Sequence, residues 1–416
     1  MLTRRLMSGA RRLCLLSGLS LVAALAGGGA AAVADPASAS SVGVQQPQVA
    51  GGAAHGLRLK VHGQTRQGTP LLVSTSATGY TPAQVRSYLG LTGTGAGQTI
   101  AVVTAYDAPR VAADLSTFSS RFGLPAPPSF RKVNQSGGTK MPPVDPGWAL
   151  EAALDVQWAH AVAPGASILL VQASSSALSN LLTAVSYAAK QPGVTVVSGS
   201  WGSAEFGRQV DQDYRCRLTT GVCVFSSGDN GNPGGYPATN RYALAVGGTT
   251  LGLDSSGAVT SEVAWSGSGG GVSAYSPKPA HQDAVTTAPR RTSPDVSYAG
   301  DPATGFAVYS STPYQGQSGW FQMGGTSAGA PQWAGIIAVG NGLRKAVGKG
   351  PLVAYTSTGA SSLHNALYAS AARFGDIVAG ANGACGVLCT AAPGYDAVTG
   401  LGSPRQSLDL VLRDAP

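Results

Sequence analysis

The sequence predicts an α/β fold in which helices cover both faces of a mostly parallel central sheet, giving three layers. Three observations carry this. Four short apolar runs, TIAVVTAY (99–106), SILLVQA (167–173), VTVVSGS (194–200) and GVCVFSSG (221–228), have the near-continuous hydrophobicity of strands buried on both sides. Segments with apolar residues at helical intervals, AADLSTFSSRFGL, EAALDVQWAHAVA and SALSNLLTAVSYAAK, alternate with them. Glycine-rich turns, SGSWGS, SSGDNG and GGTSAGAP, stand at strand exits, where parallel sheets gather their functional groups.

At the N-terminus, residues 1–34 join a basic start to an apolar stretch and small residues ending Ala32-Val33-Ala34, the pattern of a secretory signal peptide. Its removal takes away Arg4, Arg5, Arg11 and Arg12 and lowers the formal charge from +8 to +4. Residues 35–76, rich in Ala, Gly, Ser, Gln and Val, read as a short leader or linker. The compact domain then occupies 77–416, opening at YTPAQVRSYLGL, where Thr81 caps a helix and Pro82 takes its first position.

Composition excludes several classes. With 416 residues and 43% hydrophobic content the chain can build a real core. Its 58 glycines and 26 prolines follow no triplet period, which argues for a loop-rich globular protein over a fibre. The remaining positive charge forms no dense basic stripe with interleaved aromatics, so nucleic acid is not an expected partner. Beyond the signal no apolar run is long enough to span a bilayer, and the expectation is a secreted, extracellular monomer with no membrane attachment. Only 11% of residues are charged, a surface whose self-repulsion changes little when carboxylates protonate. Outside the signal, which contains Cys14, four cysteines remain, and an even count outside the cell favours disulfides. Three pairings exist for four cysteines. Proximity selects Cys216 with Cys223 and Cys385 with Cys389, while zinc is disfavoured because CxxC spacing and accompanying histidines are lacking.

Ser327, in GGTSAGAP, sits at the start of a helix, beside backbone N–H groups that can hold a developing oxyanion. Serine is also an ordinary helix cap, so its neighbours decide. A serine nucleophile needs a base, and the base needs an orienting partner. In WALEAALDVQW, Glu151 and Asp155 are four residues apart and project from one helix face. Apolar neighbours make such charge costly unless it is used. Adjacent carboxylates share a proton and serve as a base near or below about pH 5. Asp229, in SSGDNG, lies on a turn just after an apolar strand, and a protonated carboxyl there can donate to an oxyanion.

These four residues in their contexts resemble the sedolisin family of serine-carboxyl peptidases, which includes the tripeptidyl-peptidases of acidic compartments. The resemblance runs from about residue 80 to the C-terminus and extends to GAGQTIAVV, APGA, YPATNRYALAVGGT, GGGVSAYSP, SPDVSYAGDPATG and GYDAVTGLGSP. It implies a subtilisin-like fold and peptide-bond hydrolysis through an acyl-enzyme, with Ser327 as nucleophile, Glu151 as base, Asp155 as its partner and Asp229 in the oxyanion hole. It also implies one structural Ca2+ held by the carboxylates of Asp376 and Asp396 and the carbonyls of Ile377, Ala392 and Gly394. The family usually has glycine where this chain has Ala392, a change that a carbonyl ligand tolerates. Peptide or protein substrates would lie extended along SGSWGS and GSGGGVSAY. Members usually carry a large N-terminal prodomain, whereas about forty residues separate signal from domain here.

Two rivals were weighed. A histidine-dependent subtilisin relative needs a histidine between the first strand and the nucleophile, but His160 and His281 lack a Gly-rich HGT context and Thr104 stands where an acid is required. A catalytically silent peptide-binding protein would keep the fold, yet it has no chemical need for Glu151, Asp155, Asp229 and Ser327 together.

Overall fold

The computed structural model describes the backbone of His55–Gly56 and residues 76–416; the expected signal peptide and most of the leader lie outside the described residues. Thr81 caps the first helix, α1 (Pro82–Leu89), in a reciprocal capping box with Gln84. There follow β1 (Thr99–Ala105), α2 (Val111–Phe122), β2 (Phe130–Asn134), α3 (Pro146–Val162), β3 (Ser167–Ala173) and α4 (Leu178–Ala188). The sheet continues with β4 (Val194–Gly199), β5 (Val222–Ser226), β6 (Ala243–Leu253), β7 (Val259–Ala264) and β8 (Val296–Ala299). The order is β8-β6-β5-β4-β1-β3-β2, all neighbours parallel, with β7 added antiparallel to β6. The four strands expected from apolar runs occupy its centre, buried on both faces. β2 is an edge strand with the mixed sequence FRKVN, which hid it from a search for apolar runs. Among the described residues no helix is long and apolar enough to cross a membrane.

Helix α3 explains how the site is held. Every residue from Trp148 to Val162 is buried, so the helix has no solvent face and no amphipathic stripe. Asp145 caps it by accepting from Trp148 N–H at 2.9 Å. On one side Gln157 clips it to the strand Phe306–Tyr314, its amide exchanging hydrogen bonds with Tyr309 N and O at 3.0 and 2.7 Å. Trp158 Nε1 donates to Ala307 O at 2.9 Å and its ring packs edge-on against Phe306 and Phe118. This strand turns back as Gln317–Met323, which runs straight into α5 (Thr326–Ala346). α5 approaches α3 closely at Gly335, where a Cβ would lie 2.8 Å from Val162.

At the β8 edge a fully buried ion pair ties the layers together. Arg291 grips Asp295 with two nitrogens at 3.1 and 2.6 Å, and Tyr368 OH and Ala245 N–H donate to the same carboxylate at 2.8 Å each. Burial alone would raise the Asp295 pKa, but the Arg291 charge and the His364 contact outweigh it and hold the group well below the carboxylate range. A folded pKa so depressed contributes stability that is present above the unfolded value and is lost only in strong acid. Replacing Asp295→Asn leaves Arg291 buried without its counter-charge. Chemical unfolding of this variant is expected to show a loss of about 3–5 kcal/mol that persists down to about pH 4.

Candidate active site

Ser327 stands at the second position of α5, only 3% exposed, between the end of the hairpin and the sheet. The entry turn depends on Gly325, which has φ +95° and leaves room for a carboxylate: a Cβ there would fall 2.6 Å from Asp229 Oδ2. Pro331 is tolerated because it lies in the first turns of the helix, but it carries no N–H for the carbonyl four residues earlier, that of Ser327.

Glu151 and Asp155 lie on adjacent turns of α3, 2% and 0% exposed. Burial pushes the Glu151 pKa well above the usual range, and the charges of Asp155 and Asp229 add to the rise, while the Ser327 hydroxyl pulls it back. Burial likewise raises Asp155, and a hydrogen bond from Ser200 opposes it. That bond is short, Ser200 Oγ to Asp155 Oδ1 at 2.7 Å, and the same hydroxyl stands 3.1 Å from the Ser327 carbonyl. Neither Glu151 oxygen completes a hydrogen bond of good geometry, although Ser327 is near enough to favour its ionised form. Catalytic contacts are commonly loose before substrate closes a site. Ser200 was not identified in the sequence, where SGSWGS read as a peptide edge.

Asp229 follows β5 and is 2% exposed. Its Oδ1 accepts from Thr326 N–H at 2.8 Å and from Thr326 Oγ at 2.9 Å, so the helix start and the carboxyl are joined directly. Below it, Gly269 N–H donates to Gly228 O at 2.7 Å and Gly231 N–H to Gly267 O at 2.9 Å. GSGGGVSAY therefore props the Asp229 loop, and its continuation Gly271–Pro277 pairs with Arg290–Ser293. The other expected edge accepts a strand: the backbone of His55–Gly56 pairs antiparallel with Trp201–Gly202.

The C-terminal loops bring Asp376 and Asp396 to the same turn. Asp376 Oδ2 accepts from Gly394 N–H at 2.8 Å and Asp396 Oδ2 from Ala392 N–H at 3.0 Å. Ile377 is buried beside them. Asp396 Oδ1 also accepts from the Val398 and Thr399 N–H groups at 2.8 Å each, so backbone amides hold these carboxylates in place, and oxygen groups of this type suit a hard cation. Both disulfides, Cys216–Cys223 and Cys385–Cys389, are formed.

Among the described side chains, His160, His281 and His364 take no part in this arrangement. His160 is buried on α3 with Nε2 2.8 Å from the Pro125 carbonyl. His281 stacks on His364 beside Asp295, a grouping with metal-like ligand types. Its His364 and Asp295 members are already hydrogen-bonded, while His281 Nε2 is buried without a hydrogen-bond partner, 3.9 Å from Asp295 Oδ1. His364 Nε2 faces the Ala243 carbonyl at 3.1 Å and must carry the proton, its Nδ1 faces Ser361 Oγ at 2.7 Å, and Asp295 is already held by Arg291.

A family profile described as "Subtilase family" matches residues 147–347, the stretch from the start of α3 to the end of α5. Kumamolisin from Bacillus sp. (strain MN-32) is 32% identical over 374 residues, covering 80% of this chain and 63% of kumamolisin. Sedolisin from Pseudomonas sp. (strain 101) is 31% identical over 197 residues, covering 43% of this chain and 31% of that protein. The chain thus spans less than two thirds of the length of these curated relatives. Among solved structures, Pseudomonas sedolisin, a serine-carboxyl proteinase complexed with two molecules of pseudo-iodotyrostatin, superposes with a TM-score of 0.65 at 26% identity, covering 79% of this chain and 96% of that one. Sphericase, at 19% identity and a TM-score of 0.53, shares the fold. With a mostly parallel three-layer architecture, a buried acid pair on α3 and these similarities in sequence and structure, the chain is related to the sedolisin family.

Proposed function

We propose that this chain is a secreted serine-carboxyl peptidase that hydrolyses peptide bonds at acidic pH through an acyl-enzyme on Ser327. The observation that carries this reading is the buried Glu151–Asp155 pair, one turn apart on α3, beside a serine at a helix start. In this mechanism a substrate strand lies along Trp201–Gly202, the edge that accepts His55–Gly56. Ser327 Oγ attacks the scissile carbonyl and Glu151 takes its proton, while Asp155 shares the charge change. A protonated Asp229, anchored through Oδ1 to Thr326, donates to the oxyanion. Glu151 then passes the proton to the leaving amine, and water resolves the ester by the same steps in reverse. Export is supported by the signal-like N-terminus and by two disulfides.

Asp376 and Asp396, with the carbonyls of Ile377, Ala392 and Gly394, would hold Ca2+. The ion would supply charge balance that fixes the C-terminal turn, with no part in the chemistry.

Hydrolysis of a peptide library, followed against pH, is expected to peak below about pH 5 and to fall at least about 10⁴-fold in Ser327→Ala. A maximum near neutrality, or survival of activity in the variant, would sink the carboxylate mechanism. The acid pair also makes a stability prediction. Its folded pKa values lie above the unfolded ones, so its contribution is complete below about pH 4 and is lost as pH rises through the raised values. Thermal unfolding of the wild type is therefore expected to show that loss, and Glu151→Gln/Asp155→Asn to flatten the corresponding part of the curve. Finally, a calcium chelator is expected to lower Tm of the wild type and to leave Asp376→Asn/Asp396→Asn unmoved; equal shifts in both would remove the ion from these residues.

A further inference from the structure

We propose that Ser200 is a positioning residue whose single hydroxyl proton is contested by Asp155 Oδ1 and the Ser327 carbonyl, so that it follows the charge of the acid pair. The role of the pair is that of the reading above. Two features of the fold create the contest. Ser200 is wholly buried at the exit of β4, so no solvent competes for its hydroxyl. Pro331 occupies the position whose N–H would normally satisfy the Ser327 carbonyl, and that carbonyl therefore depends on a side-chain donor.

The two acceptors lie at 2.7 and 3.1 Å, and a hydroxyl has one proton to give. When Asp155 is ionised the charge-assisted bond wins, and the Ser327 carbonyl goes without. When Asp155 holds a proton its advantage as an acceptor shrinks, and the hydroxyl is free to turn to Ser327. Ionising Asp155 therefore withdraws a hydrogen bond from the backbone of the nucleophile. The protonation state of Asp155 and the seating of the serine are linked through this one side chain.

The contest predicts opposite effects from its two sides. Removing the hydroxyl takes away a donor that favours ionised Asp155, so Ser200→Ala raises the protonation midpoint of the pair. Supplying the missing N–H satisfies the Ser327 carbonyl independently and leaves Ser200 wholly to Asp155, so Pro331→Ala lowers it.

Two readouts test this: the acid limb of kcat/KM against pH, and infrared titration of the buried protonated carboxyl band, which needs no turnover. Ser200→Ala is expected to move both upward by about one pH unit, Pro331→Ala to move both downward by about half a unit, and Ser200→Thr to restore the wild-type position. Unmoved midpoints, or shifts of the same sign in both variants, would overturn the inference, as would Ser200→Thr behaving like Ser200→Ala while melting like the wild type. Should Ser200→Ala fail to fold, the Pro331→Ala shift decides alone: downward supports the contest, zero or upward overturns it. A wild type without peptidase activity at any pH, whose infrared midpoint still moves in opposite senses, would remove the proposed function and leave the Ser200 linkage standing.

Discussion

Burying Glu151 and Asp155 one turn apart on a helix with no solvent side constrains everything packed around it. Two carboxylates so placed cannot both ionise without a partner, and among the described residues neither forms an ion pair with a lysine or arginine within 4.0 Å. The surrounding structure answers with hydroxyls. Ser200 reaches Asp155, Ser327 stands by Glu151, and Thr326 grips Asp229. Because hydroxyls can reorient, the site can accept a change in proton number without a change in packing.

The same chain also buries an acid in the opposite way. Asp295 is held by Arg291, a tyrosine and a backbone amide, and stays charged far into acid. One buried carboxylate is thus stabilised as an anion by its partners, while burial without a counter-charge disfavours ionising the pair on α3. Both solutions suit acid conditions: the ion pair does not dissolve there, and the raised pair relaxes there.

The strands and helices that hold these groups were legible wherever burial imposed a period. The four central strands and α3 followed from hydrophobic runs, and the i, i+4 spacing of Glu151 and Asp155 marked a shared face. Ser327, Asp229 and the C-terminal carboxylates took their meaning from company and from family resemblance, since each is locally an ordinary cap or turn residue. What the residues did not disclose is long-range hydrogen bonding. Ser200 lies 45 residues from Asp155 and 127 from Ser327, and nothing in SGSWGS points inward. The glycines of GSGGG were equally mute, because a glycine supporting a loop from below and a glycine offering a free edge have the same sequence. FRKVN, an edge strand with one buried valine, lacked the run that identified the others.

The absence of any solvent face on α3 has a kinetic consequence. Glu151, Asp155 and Ser327 are 2%, 0% and 3% exposed, so the pair meets bulk water poorly, and in the proposed mechanism a peptide at Ser327 would screen it further. On that mechanism, for as long as substrate sits there the reaction would run on a closed inventory: the proton taken from the serine would be the one handed to the departing amine. Bulk pH would then set which molecules begin a cycle, with little say over those already in it.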